Sequence, residues 1–283
     1  VRLNEKANPE YISHFFQSPM YWAQVRSTAV GAAQPGINAT KLKKMEIPLP
    51  PIDEQKRIAA ILSKADEIQK KSVSFFESRD SLIQSLFYDF FGDPARWDRT
   101  KLLTLGGLCD KVTQSNPRNL FATDFEYVDL ASVDGSVGKI SNVKIIPVMD
   151  APSRARQVLA EGDILISTVR PYLRGTALIG LRNSNSIGST GFCVLRPKDR
   201  NFSAIIYSLS RTNWFSKQLM SVATGASYPA VKKGDVESIS IPDIDDEKAF
   251  RFNSIFSHLE KMFEETSVYS TNLVESITQE ILS

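Results

Sequence analysis

At 283 residues, with 42% hydrophobic and 23% charged side chains, the chain is long enough for a sizeable core and for two structural units. Its net charge of +2 gathers into blocks: residues 1–52 carry 6 Lys/Arg against 3 Asp/Glu, 53–92 carry 6 against 7, 93–244 carry 19 against 14, and 245–283 carry 3 against 8. The composition excludes a disulfide framework, a zinc pattern and a membrane-spanning helix, because there are only two cysteines and two histidines and no apolar run nears roughly 20 residues.

The start, Val1-Arg2-Leu3-Asn4-Glu5-Lys6, is polar and has no apolar leader segment. It also lacks an initiator Met, as a fragment or processed form would. Free thiols at Cys109 and Cys193 fit a reducing, cytoplasmic setting, with Cys193 expected in the core. The aromatic stretch from Tyr11 to Val25 reads as helical. It is followed by Ala29-Val30-Gly31-Ala32-Ala33-Gln34-Pro35-Gly36-Ile37 and by the proline-rich Ile47-Pro48-Leu49-Pro50-Pro51.

From Asp53 to about Phe91 there is no Gly or Pro, and Gly92-Asp93-Pro94 stops the pattern, so the spacing predicts one long helix. Asp53 and Glu54 suit its N-terminal dipole. Ile61, Ile68, Phe75 and Leu82 fall seven apart, with Ala65, Ser72, Arg79 and Leu86 interleaved, and predict a heptad seam.

Residues 93–244 read as a mixed α+β unit. Strands are expected at Phe125–Leu130, at Lys139–Ile146 after an Asp134-Gly135 turn, at Ile164–Thr168, Gly175–Ile179 and Gly191–Leu195, and finally at Val236–Ile241. Helical signals run from Phe202 to Met220, broken near Arg211-Thr212-Asn213.

A second Gly- and Pro-free stretch, Asp245 to Leu282, predicts another long helix. Its seam comprises Ile255, Met262 and Tyr269, with Leu259, Thr266 and Leu273 interleaved. Each helix would be about 55 Å long at 1.5 Å per residue. One apolar stripe on so long a helix needs a partner: either the other helix, packed antiparallel, or the helix's own globular unit.

The chain also repeats itself at an offset of about 194 residues. Residues 29–37 match Ala223-Thr224-Gly225-Ala226-Ser227-Tyr228-Pro229-Ala230-Val231, and Met45-Glu46-Ile47-Pro48 matches Ile239-Ser240-Ile241-Pro242. The expected plan is therefore the end of one globular domain (1–52), a first long helix (53–92), a complete second domain (93–244) and a second long helix (245–283).

Catalytic motifs are not evident. No Asn/Asp-Pro-Pro-aromatic motif accompanies a Gly-rich cofactor loop. Gly135-Ser136-Val137-Gly138-Lys139 lacks two residues of a phosphate loop and reads as a hairpin turn. The acidic run Asp243 to Glu247 reads as a helix start, and no metal or other cofactor is expected.

The segment that stands out is Ser167-Thr168-Val169-Arg170-Pro171-Tyr172-Leu173-Arg174-Gly175, a turn between two apolar strands. Arginine can chelate guanine or clamp a phosphate, and hydroxyls reach backbone or base edges. Candidate DNA contacts are therefore Ser167, Thr168, Arg170, Tyr172 and Arg174, joined by Tyr228 with Lys232 and Lys233, and by Arg154, Arg156, Ser189 and Thr190.

The run from Ile37 through Lys43-Lys44-Met45-Glu46-Ile47-Pro48-Leu49-Pro50-Pro51-Ile52-Asp53-Glu54-Gln55 to Leu62 resembles the end of a target-recognition domain entering the central helix of a type I restriction-modification specificity subunit. Gly162-Asp163-Ile164-Leu165-Ile166-Ser167 is similar to a strand of those domains. The resemblance implies a non-catalytic subunit that reads a split target in double-stranded DNA. It further implies two recognition domains on two antiparallel spacer helices, with DNA methyltransferase (modification) subunits and restriction translocase-nuclease subunits as partners. Two other readings stay open: the recognition half of a self-contained methyltransferase or nuclease, and a structural coiled-coil scaffold.

Overall fold

A computed structural model describes residues 2–28 and 37–282, with side chains described up to Thr266 apart from Gln69, Ser72, Val73, Phe76, Glu77 and Arg99. The chain forms two compact units, one of residues 1–74 with 265–283 and one of residues 75–264.

In the first unit, α1 (Pro9–Gln17), α2 (Pro19–Thr28) and α3 (Ala39–Leu42) precede the start of α4 (Ile52–Phe91). Asn8 caps α1 by accepting from the Tyr11 amide, and Asn38 caps α3 in the same way from Lys41. Gln55, only 1% exposed, explains the proline-rich entry to α4. Its amide donates to the Lys6 and Pro50 carbonyls and its carbonyl accepts from the Asn8 amide, so one buried side chain ties two backbone segments to the start of α4. Ile12, Phe15 and Ala59 are buried in this unit.

The second unit contains the rest of α4 and the start of α9 (Asp246–Leu282), which run antiparallel there. Phe75 meets Phe263 at 4.6 Å between ring centroids, Arg79 meets Glu260, and Phe87 and Phe91 meet Phe252. The seam differs from the one expected. Ile83, Phe87, Ala249, Phe252, Phe256 and Phe263 are buried, whereas Leu82, Ile255 and Met262 are exposed and Leu259 is half-buried. A strict seven-residue count slips by one position here. The contacts are made by large rings at spacings of three and four, and an α-helix drifts about 20° per heptad against that count. Of the remaining expected seam residues, Phe75 pairs across the helices, Ile61 and Ile68 are half-buried in the first unit, and the side chains of Tyr269 and Leu273 lie outside the described residues.

Between these helices the chain forms short strands: β1 (Leu102–Thr104), β2 (Cys109–Asp110), β3 (Asp124–Val128), β4 (Val133–Asp134), β5 (Lys139–Ile140), β6 (Lys144–Pro147), β7 (Ala155–Val158), β8 (Ile164–Ser167), β9 (Thr176–Leu178), β10 (Ile187–Ser189), β11 (Phe192–Pro197) and β12 (Ser240–Pro242). They assemble as two four-stranded sheets, β6-β3-β10-β7 and β2-β11-β8-β9, and two pairs, β1-β12 and β4-β5. Helices α5 (Leu105–Leu108), α6 (Asn201–Ser210), α7 (Asn213–Val222) and α8 (Lys233–Glu237) complete the unit, an α+β architecture.

Strands β8 and β11 read as unbroken apolar runs because both of their faces are covered. Ile164, Ile166, Cys193 and Leu195 pack with α6, α4 and α9, while Leu165, Phe192 and Val194 pack with Val128 and Leu159. Cys193 is a core side chain, and burial pushes its thiol up to about 12. Two expected strands are revised. Lys139–Ile146 is split into β5 and β6, which belong to different sheets. Most of Val236–Ile241 is the end of α8 and a connection, with only Ser240–Pro242 extended.

The duplication read from the sequence recurs in the element boundaries. Helices α2, α3 and α4 begin at residues 19, 39 and 52, and α7, α8 and α9 begin at 213, 233 and 246, each 194 residues later.

Candidate nucleic-acid interface

The turn between β8 and β9 is built from two arginines in the left-handed region, Arg170 at φ 51° and Arg174 at φ 48°. Between them Pro171-Tyr172-Leu173 forms one 3-10 turn, closed by the Leu173 amide donating to the Arg170 carbonyl and the Arg174 amide to the Pro171 carbonyl. Side-chain-bearing residues pay roughly 1–2 kcal/mol each for this conformation, so surrounding contacts must hold it. They do so from three directions. The Arg170 amide donates to Pro229 O at 2.7 Å and the Val231 amide to Thr168 O at 2.9 Å. The Ser216 hydroxyl donates to Pro171 O. The Leu173 carbonyl lies so close to Gly135 that a Cβ there would sit 2.1 Å from it.

Arg170 meets Tyr228, which the sequence groups with Lys232 and Lys233: the guanidinium lies 4.4 Å from the centre of the Tyr228 ring. Among the described residues no hydrogen bond or ion pair uses the Arg170 guanidinium, and its Nε is buried without a partner. It lines a cleft of about 790 Å³ with Tyr172, Leu173, Ser136 and Tyr228. Tyr172, Leu173 and Tyr228 are all at least half exposed.

Arg174, by contrast, is engaged. Its guanidinium donates to Asn213 Oδ1 and to the Arg211 carbonyl. Ser167, Thr168, Ser189 and Lys233 also turn inward. Ser167 Oγ donates to Val169 O at 2.8 Å, and Thr168 Oγ1 to Gly191 O at 2.7 Å. Ser189 is 3% exposed and accepts from the Gly191 amide, so it presents no surface for a partner. Lys233 Nζ donates to Gln157 Oε1 at 2.6 Å, and Gln157 in turn donates to the Ser189 and Phe192 carbonyls. These residues brace the surface rather than form it.

Arg154 and Lys232 are exposed, Thr190 and Arg156 half-buried. The Thr190 amide donates to Arg154 O, the Thr168 amide to Gly191 O, and Arg156 Nη1 to Ala155 O. The candidate segments are therefore stitched side by side through their backbones, with Tyr172, Tyr228, Arg154 and Lys232 exposed and Arg170 half-buried in the cleft.

Beneath the turn lies a buried network that the sequence did not disclose. Arg211 is 1% exposed. It donates through Nε to Asp80 Oδ1 at 2.9 Å, through Nη1 to the Gly135 and Arg174 carbonyls, and through Nη2 to the Ser136 carbonyl. Arg79, also 1% exposed, donates to Glu260 Oε1 and Val137 O, and its Nη2 reaches the Tyr207 hydroxyl. Tyr207 donates to Gly138 O at 3.0 Å, and burial pushes its phenol pKa up, which keeps that proton in place. Four consecutive carbonyls, 135 to 138, are thus gripped by three side chains. Gly138, at φ +66°, leaves no room for a Cβ, which would lie 2.4 Å from the Tyr207 hydroxyl. The partners are far apart in sequence, so no local pattern could have joined them.

Among the described residues no cluster of His, Cys, Asp and Glu could hold a metal, and no helix is long and apolar enough to cross a membrane. The second unit thus combines a mixed α+β fold with a hydrogen-bonded β8–β9 turn that carries Arg170 in no ion pair among the described residues. Residues 1–73 match the family described as the type I restriction modification DNA specificity domain. The chain is 27% identical over 248 residues to the putative type I restriction enzyme MjaX specificity subunit of Methanocaldococcus jannaschii, across 82% of this chain and 56% of that protein. It is 24% identical over 277 residues to the MjaVIII specificity subunit of the same organism, across 87% of this chain and 63% of that protein. Among solved structures it is similar to an HsdS subunit from Thermoanaerobacter tengcongensis, with 34% identity, 59% of this chain and 43% of that one covered, and a TM-score of 0.48. It is also similar to the S subunit of a type I restriction-modification system from M. genitalium, with 16% identity, 98% and 73% covered, and a TM-score of 0.49. The chain is thus similar to specificity subunits of type I restriction-modification systems, and it spans 56% and 63% of the length of the two curated relatives.

Proposed function

We propose that this chain is a DNA-binding specificity subunit whose head, residues 93–244, reads one half of a split duplex target. On this reading methyl transfer and cleavage belong to partner subunits, a DNA methyltransferase and a translocase-nuclease, and the paired helices set the distance between the parts read. The observation that carries it is Arg170: a cation in no ion pair among the described residues, its guanidinium 4.4 Å from the centre of the Tyr228 ring on a hydrogen-bonded turn. A guanidinium held over a ring gives up part of its rotamer freedom in advance and can offer its remaining donors to a guanine or a phosphate. Exposed Arg154 and Lys232 on neighbouring segments supply phosphate contacts, which give affinity without sequence choice.

The test is an anisotropy titration of the full chain against a random duplex pool and against duplexes enriched from it, at several salt concentrations. Affinity should fall linearly in log–log form with salt. Arg170→Ala should cost about 1–3 kcal/mol on the enriched duplex and less on the pool. Indifference to duplex DNA at low salt overturns the proposal.

A further inference from the structure

Resting on that DNA-reading role, we infer that the turn recognises a two-base step, a guanine met by Arg170 beside a thymine whose 5-methyl group is met by Leu173 and Tyr172. The sequence pointed to the charged residues of this segment and passed over Leu173. In the structure Leu173 is 54% exposed and Tyr172 50% exposed, side by side at the tip of a turn whose backbone is fixed at both ends by left-handed arginines. Pro171 beneath them is buried, and its carbonyl accepts from Ser216 and from the Arg174 amide.

An exposed leucine on a mobile loop would need no explanation. One held rigid by two residues in a costly conformation does, because strain of this kind is kept where a group must be presented. The occupant follows from the surroundings. The apolar tip adjoins an unpaired guanidinium, so it faces a polyanion rather than an apolar protein surface. In the major groove the thymine methyl is the apolar feature that base edges offer, and guanine O6 and N7 are the acceptors an arginine chelates. The Leu173 amide donates to the Arg170 carbonyl, so the two side chains leave one tight turn and reach neighbouring base pairs. Arg174, tied to Asn213, sets the far end of the turn and reads nothing itself.

The experiment is selection of duplexes from a randomised pool by the full chain, repeated with Leu173→Ala and Arg170→Ala. The wild-type chain should select a guanine next to a thymine. Leu173→Ala should keep the guanine and lose the thymine, and Arg170→Ala should lose the guanine. Replacing that thymine by deoxyuridine, which removes only the methyl, should weaken wild-type binding about fourfold and leave Leu173→Ala unchanged. A selected site without thymine beside the Arg170-dependent guanine, or a Leu173→Ala chain that still prefers thymine, overturns the inference while leaving DNA reading intact. Failure of the wild-type chain to select any sequence overturns the DNA reading and this inference with it.

Discussion

Asp80 and Arg211 stand 131 residues apart in the chain and meet at 2.9 Å in the interior. One lies on the long helix α4, the other at the C-terminal end of α6, and the guanidinium between them also holds the Arg174 carbonyl. Removing the carboxylate would strand a buried cation. Asp80→Ala should therefore destabilise the second unit by about 3–5 kcal/mol. Urea denaturation should show a lower midpoint at unchanged slope. A loss under about 1 kcal/mol would mean that the carbonyls alone satisfy Arg211.

Gly135 is where the hairpin and the β8–β9 turn touch. An alanine Cβ there would lie 2.1 Å from the Leu173 carbonyl, a backbone atom that cannot swing aside. Gly135→Ala should displace the turn, cost about 1–3 kcal/mol and blunt discrimination between duplexes more than it lowers affinity for a random pool. Gly180→Ala, where nothing lies within 4 Å, should stay within about 0.5 kcal/mol and bind normally. Equal behaviour of the two variants would contradict the interlock.

The revised helix seam makes a paired forecast. Ile83 is fully buried, so Ile83→Asp should lower stability by more than about 3 kcal/mol and lower the thermal midpoint. Ile255 is 41% exposed despite its heptad position, and Ile255→Asp should change stability by under about 1 kcal/mol. Thermal melts that reverse this order would restore the seven-residue count.

Acid should loosen the hairpin in a defined direction. Hydrogen bonds from the Ser136 hydroxyl and amide hold the Asp134 carboxyl below its ordinary value of 3.8, against the opposing effect of partial burial. A depressed folded-state pKa contributes stability that is present above the unfolded value and is lost as pH falls through the folded one. Asp134→Asn should therefore leave the neutral-pH profile flat and make the fall in stability below about pH 4 shallower. An unchanged acid limb would show that Asp134 adds nothing.

Much of this architecture was legible because helix ends are punctuated chemically. Prolines 48, 50 and 51 and Gly92 bracket α4, which runs from Ile52 to Phe91 against the expected Asp53 to Phe91. The break between α6 and α7 falls where Arg211-Thr212-Asn213 signals it, with Thr212 capping α7. The strands were harder, because β7 and β10 are short and owe their pairing to partners far away, and because α8 carries apolar Val236 in a stretch that looks extended. In the β8–β9 turn, Arg170 and Arg174, identical in type and four apart, have different surroundings. One faces a ring and open cleft, the other an asparagine contributed by α7, and only the fold distinguishes them.

From beneath, Arg79, Tyr207 and Arg211 hold the hairpin at residues 135–138 by its main-chain oxygens. Main-chain oxygens are the same whatever residue carries them. Apart from the two glycines, this mounting is therefore blind to mutation in the piece it grips. On the proposed DNA-reading role, a lineage acquiring new targets could change outer side chains while the bracket beneath them stayed untouched.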